Sequence, residues 1–331
     1  MTFAEYKWNL MDWINFFPAE GGLEKDAKVL LLCDKESEEL FASKLKKRVK
    51  RLSLRLEEGQ YDYVLIPSLN KRILTLFQDS IEKMLLSFSE KWLLPGGAVI
   101  LGVQNEKSLE SLSTGYIEKE LSYTSLKELQ EIGKNLKSIY EKSEDRIYFP
   151  LPSLDYPIHF YTKDRLPQEG EESGSIAALS EEGVFPNFAP CFLYYFRKNN
   201  VGISEMKDIH SNKLNYLKYN ASRKPCYAIK TEILSDKKGE KFVLKESITK
   251  EANPHIESLP EKRKRMEVFF ANRKIRVLEE KQFRRAYESS DSLSYVVYPF
   301  LKGKSISEIL GGLIADGKAP VKEITEALEL L

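Results

Sequence analysis

The chain has 331 residues, with 51 Lys and Arg against 50 Asp and Glu, so its formal net charge is +1. This length favours two domains, and the apolar content of 42% is enough for a buried core in each of them. A charge so close to zero excludes a protein built to coat nucleic acid, because that task requires an excess of Lys and Arg over the whole domain. We therefore expect no nucleic-acid partner.

Cysteine usage and hydropathy favour the cytoplasm. Cys33, Cys191 and Cys226 are odd in number and far apart, which indicates neither a disulfide framework nor a zinc site. No apolar stretch approaches the roughly 18 residues that cross a bilayer, and the N-terminus lacks the basic start of a secretion signal. The sequence predicts a cytoplasmic protein with reduced thiols and no metal site.

Apolar strands alternate with helical patterns through the first 200 residues, which predicts a parallel sheet with crossover helices. Leu94–Gly97 predicts a tight turn, and Leu166–Pro190, rich in Pro, Gly and acid, predicts a loop. The predicted strands are Lys28–Cys33, Val49–Leu56, Tyr61–Ile66, Ala98–Val103, Asp145–Phe149 and Cys191–Arg197. The predicted helices are Met1–Phe17, Glu36–Lys47, Leu69–Leu93 and Ser125–Glu141.

The pattern changes after about Asn200. Two apolar runs, Tyr227–Leu234 and Lys241–Glu246, flank a polar turn and predict an antiparallel hairpin. We therefore expect one domain at residues 1–200 and a smaller α+β domain at residues 201–331. The chain stops inside a helical pattern without a cap, which suggests that the second domain is truncated. The elements expected after the hairpin are a helix at Pro260–Asn272, strands at Lys274–Glu279 and Ser294–Leu301, and a helix from Ser305.

The segment 28–103 resembles class I S-adenosylmethionine-dependent methyltransferases. The matching features are a leading buried strand, the strand Tyr61–Ile66, and the run Trp92-Leu-Leu-Pro-Gly-Gly-Ala-Val-Ile-Leu. Within that family, Arg146–Pro152 and Tyr156–Pro167 are similar to bacterial methyltransferase-domain proteins associated with cell-surface polysaccharide synthesis. The resemblance implies an α/β fold with a shortened Rossmann-like methyltransferase sheet.

The cofactor loop of that family is replaced in this chain. The family places an acidic residue near the end of the first strand and glycines after it, which let the backbone approach the cofactor. Leu31 stands at the acidic position, and Cys33, Lys35 and Ser37 stand at the glycine positions. The interval before Tyr61 has room for one helix and one strand, where the family has two of each. We expect a degenerate site with no catalytic residue and no cofactor.

A surviving cofactor site is the alternative that the resemblance leaves open. In that case S-adenosylmethionine would bind at the ends of the first strand and of the strand Tyr61–Ile66. The residues that would contact the cofactor are Cys33, Asp34, Pro67 and Ser68.

Residues 201–331 resemble the N-terminal lobe of protein kinases and aminoglycoside phosphotransferases. The run Lys241-Phe-Val-Leu-Lys-Glu246 places Lys245 at the lysine that pairs with nucleotide phosphates, if a nucleotide binds. The glycine-rich loop that covers the phosphates is absent between the first two strands, and the catalytic loop would follow the last residue. Lys245 is otherwise a solvated residue on a strand. Its ion-pair partner would be one of the glutamates that follow: Glu257, Glu261 or Glu267.

Two basic runs qualify the neutral total charge. Lys44–Arg51 spans a helix end and a strand, whereas Lys262–Arg265 lies early in a helix, where the helix dipole disfavours cations. The second run suggests contact with an anionic membrane surface, a lipid-linked glycan or a protein partner. A plain solvated surface is the simpler alternative.

These features lead to three functional hypotheses. The first is a non-catalytic, methyltransferase-like protein that binds or scaffolds a protein partner or a glycan intermediate in bacterial cell-surface polysaccharide biosynthesis. The second is an active S-adenosylmethionine-dependent methyltransferase that acts on a sugar or a lipid-linked glycan. The third is a nucleotide-binding pseudokinase fragment.

Overall fold

The computed structural model describes residues 27–35, 38, 39, 42, 45, 49–56, 59–155, 157–168, 172, 174–198, 212–219, 225–271, 277–286 and 293–303. The chain divides into two compact units. The first comprises Met1–Lys163 and Pro186–Asn212, and the second comprises Asp164–Phe185 and Lys213–Leu331. The sequence-based division at residue 200 stays a prediction. No helix among the described residues is long and apolar enough to span a bilayer.

The first unit has an α/β fold built on a mixed sheet. Its strands are β1 (Lys28–Leu31), β2 (Arg51–Ser53), β3 (Tyr61–Ile66), β4 (Leu93–Asn105), β5 (Tyr123–Thr124), β6 (Glu144–Pro152), β7 (Pro157–Tyr161) and β8 (Cys191–Arg197). Their order is β7-β6-β8-β4-β3-β1-β2, with β5 beside the end of β4. Strands β1 to β4 are parallel, as the sequence predicts. The prediction of a parallel sheet is wrong for β6 and β8, because β8 inserts antiparallel between β4 and β6. β6 also forms a hairpin with β7, a strand that was not predicted.

The apolar runs recognised in the sequence form the core of this unit. All side chains of β8 are buried, and so are those of β3 except Asp62, which is half-buried. Strands with apolar residues on both faces lie inside a sheet that is covered on both sides. The strand expected at Val49–Leu56 is shorter, because only Arg51–Ser53 pairs with β1 at the edge of the described sheet.

The helices of the first unit include one that the sequence located well. The helix Leu126–Ile139 (α4) lies within the predicted range Ser125–Glu141, and the Ser125 hydroxyl caps it by accepting a hydrogen bond from the Glu128 N–H. The single helix expected at Leu69–Leu93 is wrong, because Gln78 and Asp79 adopt φ angles of 57° and 55° and end the first helix. The helices are α1 (Lys71–Thr75), α2 (Ile81–Ser87), α3 (Leu109–Thr114) and α4 (Leu126–Ile139), with a π-helical turn at Phe88–Trp92.

The expected turn at Leu94–Gly97 lies inside a 13-residue strand. Tyr61 pairs with Leu93 and Tyr63 pairs with Ala98, so residues 94–97 bulge opposite a single residue of β3. Gly96 has a φ of 82°, a conformation that disfavours other residues. The prediction of a tight turn is therefore wrong. A glycine is still needed at position 96, because the bulge requires a positive φ angle there.

The second unit is built on an antiparallel sheet with helices in its connections. Its strands are β9 (Lys213–Tyr219), β10 (Ile229–Ser235), β11 (Lys241–Ser247), β12 (Gln282–Arg284) and β13 (Tyr295–Pro299), in the order β9-β10-β11-β13-β12. Its helices are α5 (Gly174–Glu181), α6 (Asn253–Glu257) and α7 (Leu259–Phe270). Short turns of helix lie at Pro225–Tyr227 and Lys250–Ala252 in this unit, and another, at Phe185–Phe188, belongs mainly to the first unit.

The hairpin predicted in this unit is confirmed. Asp236 shapes its turn, because its Oδ1 accepts hydrogen bonds from the N–H groups of Lys238 and Glu240 at 2.8 and 2.9 Å. The loop expected at Leu166–Pro190 is wrong, since α5 forms within it.

Several other predictions fall partly or wholly outside the described residues. The strand expected at Lys274–Glu279 begins outside them, and its described part, 277–279, is not a strand. The described residues of the helix expected at Glu36–Lys47, which are 38, 39, 42 and 45, are helical. The helices expected at Met1–Phe17 and from Ser305 lie outside the described residues.

Candidate functional site

The carboxyl ends of β1 and β3 lie side by side, at the kind of sheet edge where parallel α/β folds bind ligands. Leu31 pairs with Leu65, and the Leu32 N–H donates a hydrogen bond to the Leu65 carbonyl at 2.9 Å. The ladder therefore continues to the residue before Cys33. The structure brings Cys33–Asp34 and Pro67–Ser68 to one edge of the sheet, and cofactor binding by these residues stays a prediction.

The β1 end of this edge carries side chains and negative charge. Cys33 is half-buried, and burial, followed by the charges of Asp34 and Glu38, raises the pKa of its thiol to about 12. A thiol with this pKa is neutral near pH 7, so it is a poor nucleophile. Asp34 and Lys35 are exposed, and the helical backbone begins at Lys35. The strand thus passes into helix without a glycine loop.

The β3 end of this edge is closed against β4. Pro67 is buried, and a Cβ added at Gly102 would lie 2.0 Å from the Pro67 carbonyl oxygen. The Leu69 N–H donates to the Gly102 carbonyl at 2.8 Å, and the Ser122 N–H donates to the Leu69 carbonyl at 3.0 Å. The loop after β3 is therefore held from two sides. Ser68, between these contacts, is half-buried.

Asn105, at the end of β4, is a structural residue that the sequence analysis missed. Its side chain is fully buried, and its Nδ2 donates hydrogen bonds to the carbonyls of Asn187 and Ala189 at 2.9 and 2.7 Å. Its Oδ1 accepts from the Lys107 N–H at 3.0 Å. A polar amide directly after a buried strand was the available signal, because such a residue must find partners when it is buried.

A group of exposed apolar side chains follows Asn105 along the chain. Two belong to α3 and two to the segment after it, and Tyr116 is 67% exposed. Ser108 caps α3 through its hydroxyl, which accepts from the Ser111 N–H at 3.0 Å. We call this group the apolar rim; it consists of Leu109, Leu112, Tyr116 and Ile117. Contiguous exposed apolar residues mark interaction surfaces more often than isolated ones do.

Lys245, the residue proposed for nucleotide binding, lies on β11 in the second unit. It is half-buried, and its Nζ lies 5.9 Å from the centroid of the Tyr298 ring, within the range of a cation–π contact. Nucleotide binding by Lys245 stays a prediction. Each glutamate suggested as its partner lies beside an arginine: Glu257 beside Arg285, Glu261 beside Arg265, and Glu267 beside Arg263.

The hairpin also holds a buried charge cluster that the sequence analysis missed. Lys230 is 2% exposed, and its Nζ lies 3.3 Å from Glu232 and 3.0 Å from Glu246. Burial lowers the pKa of Lys230, but the two carboxylates outweigh it, so the pKa lies above its ordinary value. The signal was the hairpin register, which places Lys230 directly opposite Glu246.

A shallow groove of about 440 Å³ in the second unit is lined by Glu267, residues 277–281 and Pro299. The lining places the carboxylates of Glu279 and Glu280 beside Lys281, and Glu280 pairs with Arg263. Within the described part of the chain, no group of three or more His, Cys, Asp or Glu could hold a metal ion.

No family model matches this sequence, and no curated protein matches it. One similar solved structure is a SAM-dependent methyltransferase from Archaeoglobus fulgidus, at 14% identity and a TM-score of 0.33, covering 58% of this chain and 92% of that one. Another, from Thermotoga maritima, is described as a SAM-dependent methyltransferase, possibly a histamine N-methyltransferase; it has 14% identity and a TM-score of 0.29, and covers 58% and 93%.

A third similar structure is WbdD, described as a bifunctional kinase-methyltransferase. In its complex with a kinase inhibitor, the identity is 13% and the TM-score 0.26, over 93% of this chain and 63% of WbdD. Likenesses of this size carry no functional assignment.

Proposed function

We propose that this chain is a non-catalytic, methyltransferase-like binding component of bacterial cell-surface polysaccharide biosynthesis, located in the cytoplasm. The observation that carries the proposal is the edge formed by β1 and β3. There, Cys33 and Lys35 stand at the positions where methyltransferases of this kind carry glycines that let the backbone approach the cofactor. The neutral Cys33 thiol offers no nucleophile.

The loop after β3 supports the same conclusion. The backbone hydrogen bonds of Leu69 with Gly102 and Ser122 hold this loop on β4 and on the segment before β5. Each such bond contributes about 1 kcal/mol net, so opening the loop for an adenosyl group would cost roughly 2 kcal/mol. This cost is subtracted from the binding free energy that the cofactor contacts would supply, so the affinity for a cofactor falls.

The apolar rim supplies the binding surface in this proposal. It lies where the chain leaves β4, next to an edge held rigid by the buried Asn105. Three of its four residues are aliphatic, which suits a protein partner, while the exposed Tyr116 ring also suits the apolar face of a sugar. We take a protein partner as the first candidate and a glycan intermediate as the second.

Calorimetry with S-adenosylmethionine tests the loss of the cofactor site. The full chain should release no saturable heat at millimolar cofactor, because the backbone cradle for it is missing. A methyltransferase with an intact glycine loop, titrated in the same buffer, is the positive control. A stoichiometric binding curve with this chain would overturn the proposal in favour of an active methyltransferase acting on a sugar or a lipid-linked glycan.

A further inference from the structure

Helix α7 of the second unit exposes cations and apolar side chains over the broad side that faces away from its buried Phe270. Met266, Val268 and Phe269 are 48, 80 and 63% exposed. Burying such side chains away from water is favourable, so their exposure marks a surface that another body covers. We call this surface the basic–apolar face; it consists of Lys262, Lys264, Arg265, Met266, Val268 and Phe269, all exposed.

The opposite side of α7 anchors the helix in its unit. Phe270 is buried there, and the Arg263 Nε lies 2.8 Å from the Glu280 carboxylate. Arg263 also pairs with Glu267, one turn further along the helix. At 100° per residue, Arg263, Glu267 and Phe270 share this inner side. The carboxylate of Glu267 is therefore paired away from the basic–apolar face.

The charge that remains on the outward side is positive. Glu261 is the only acidic residue there among the described residues of α7, and it pairs with Arg265 at 2.5 Å. Lys262 and Lys264 are exposed beside this pair. The sequence adds Arg273, Lys274 and Arg276 shortly after the helix. A partner for this face must therefore carry negative charge next to an apolar region.

The pattern distinguishes a membrane surface from a protein groove. A helix that docks in a groove presents a stripe of apolar residues at i, i+3, i+4 and i+7. In α7 the apolar residues Met266, Val268 and Phe269 instead cluster in the last turn and a half, and the cations precede them. Cations next to exposed apolar side chains fit an anionic lipid surface, because the headgroups attract the cations and the lipid removes the apolar groups from water. We propose that the basic–apolar face of α7 docks this protein on an anionic lipid bilayer.

Vesicle flotation of the full chain tests this proposal. The protein should float with vesicles that mix phosphatidylcholine and phosphatidylglycerol, and it should remain in solution with pure phosphatidylcholine. Binding should weaken as salt rises, because the ions screen the headgroup charge. Replacing the three cations (Lys262→Gln, Lys264→Gln and Arg265→Gln) should lower the partition coefficient about 100-fold, at roughly five-fold per cation.

Two further variants separate the contribution of the apolar side chains and of the α7 cations from that of the total charge. Val268→Ser with Phe269→Ser should also release the protein from anionic vesicles, because it removes the inserted groups without changing the charge. The matched control, Lys134→Gln with Lys237→Gln and Lys238→Gln, removes three exposed cations elsewhere and should float like the parent protein.

Three results would overturn the proposal. They are equal binding to both lipid mixtures, unchanged binding of both α7 variants, or no binding at low salt. A chain that stays in solution with the vesicles and self-associates would also overturn it. If the self-association is lost when Val268 and Phe269 are replaced, the basic–apolar face binds a second copy of the chain. Because none of these readouts involves the β1–β3 edge, their failure leaves the proposed function untouched.

Discussion

Lys230 balances two carboxylates inside the sheet of the second unit, where water does not screen them. Its ammonium group lies between Glu232 on its own strand and Glu246 on the neighbouring strand. Arg284 adds a second cation at 3.8 Å from Glu246. A buried charge without its partner costs more than the pair contributes, so the removal of Lys230 has a large expected effect.

We expect Lys230→Met to lower the free energy of unfolding by about 3–5 kcal/mol, because it leaves two buried carboxylates without their ammonium partner. Urea unfolding measures the change. The matched control is Lys245→Met, the same substitution at a half-buried position on the next strand, which should cost less than about 1 kcal/mol. Equal effects of the two substitutions would contradict this account of the cluster.

The same cluster predicts a dependence on alkaline pH. The pKa of Lys230 is raised in the folded protein, so its contribution is complete below the unfolded-state pKa of about 10.4 and is lost as pH rises through the folded-state value. The difference in stability between the parent protein and Lys230→Met should therefore shrink above about pH 10.4. A difference that stays constant there would contradict the raised pKa.

At the scale of elements, the loop between β3 and α1 depends on a glycine in a neighbouring strand. The Pro67 carbonyl occupies the space that a Cβ of Gly102 would need. Asn70 then begins α1, because its Oδ1 accepts a hydrogen bond from the Ile73 N–H at 2.9 Å. The position of α1 is thus coupled to the close approach of the loop and β4.

We expect Gly102→Ala to lower the free energy of unfolding by at least about 2 kcal/mol, since the added methyl group displaces backbone and not a flexible side chain. Thermal or urea unfolding measures this change. Gly174→Ala is the control, because a Cβ there meets nothing within 4 Å. If the two substitutions have equal effects, the loop is not held as described.

The sequence located elements best where a strong local pattern agreed with the tertiary packing. Strands β3 and β8 are mostly apolar, with Asp62 and Arg197 as their charged residues, and α4 has both a serine cap and an apolar stripe. The long helix expected at Leu69–Leu93 failed because its apolar periodicity continues across an interruption. The second cap, Ser80, which accepts from the Lys83 N–H, starts a new helix there.

At the scale of the whole molecule, the near-zero net charge hides an uneven distribution. The cations of α7 are exposed, whereas carboxylates elsewhere in its unit, such as Glu246 and Glu280, are buried or paired with cations. In the first unit, the apolar rim follows β4, whereas the exposed Asp34 follows β1. The proposed function concerns the chain as a whole, and it is best tested in cells.

On the proposed function, deletion of the gene in its host should reduce cell-surface polysaccharide, measured by gel analysis of extracted glycan. Leu112→Ser with Tyr116→Ser should reproduce that loss, because the substitutions remove the exposed apolar rim without disturbing a core. The matched control, Leu301→Ser, replaces an exposed leucine of the second unit and should preserve the polysaccharide. Normal polysaccharide after deletion would contradict the proposed function, whereas a normal rim variant would exclude the rim alone.

The candidate edge was predictable from the sequence because strand ends follow from local patterns. Cys33 and Pro67 each come directly after a buried run, and neighbouring parallel strands bring such positions together. The closure of that edge was not predictable. It depends on Gly102 and Ser122, which are distant along the chain from the loop they hold.

By itself, the sequence determined the α/β character of the first unit, the hairpin of the second, and the absence of glycines directly after β1. These properties follow from hydrophobic period and residue type, which act over a few neighbours. Only the tertiary structure decided the antiparallel entry of β8, the Lys230 cluster, and the exposed face of α7. Those features depend on which strands pair and which sides are covered, and such long-range contacts leave no local pattern.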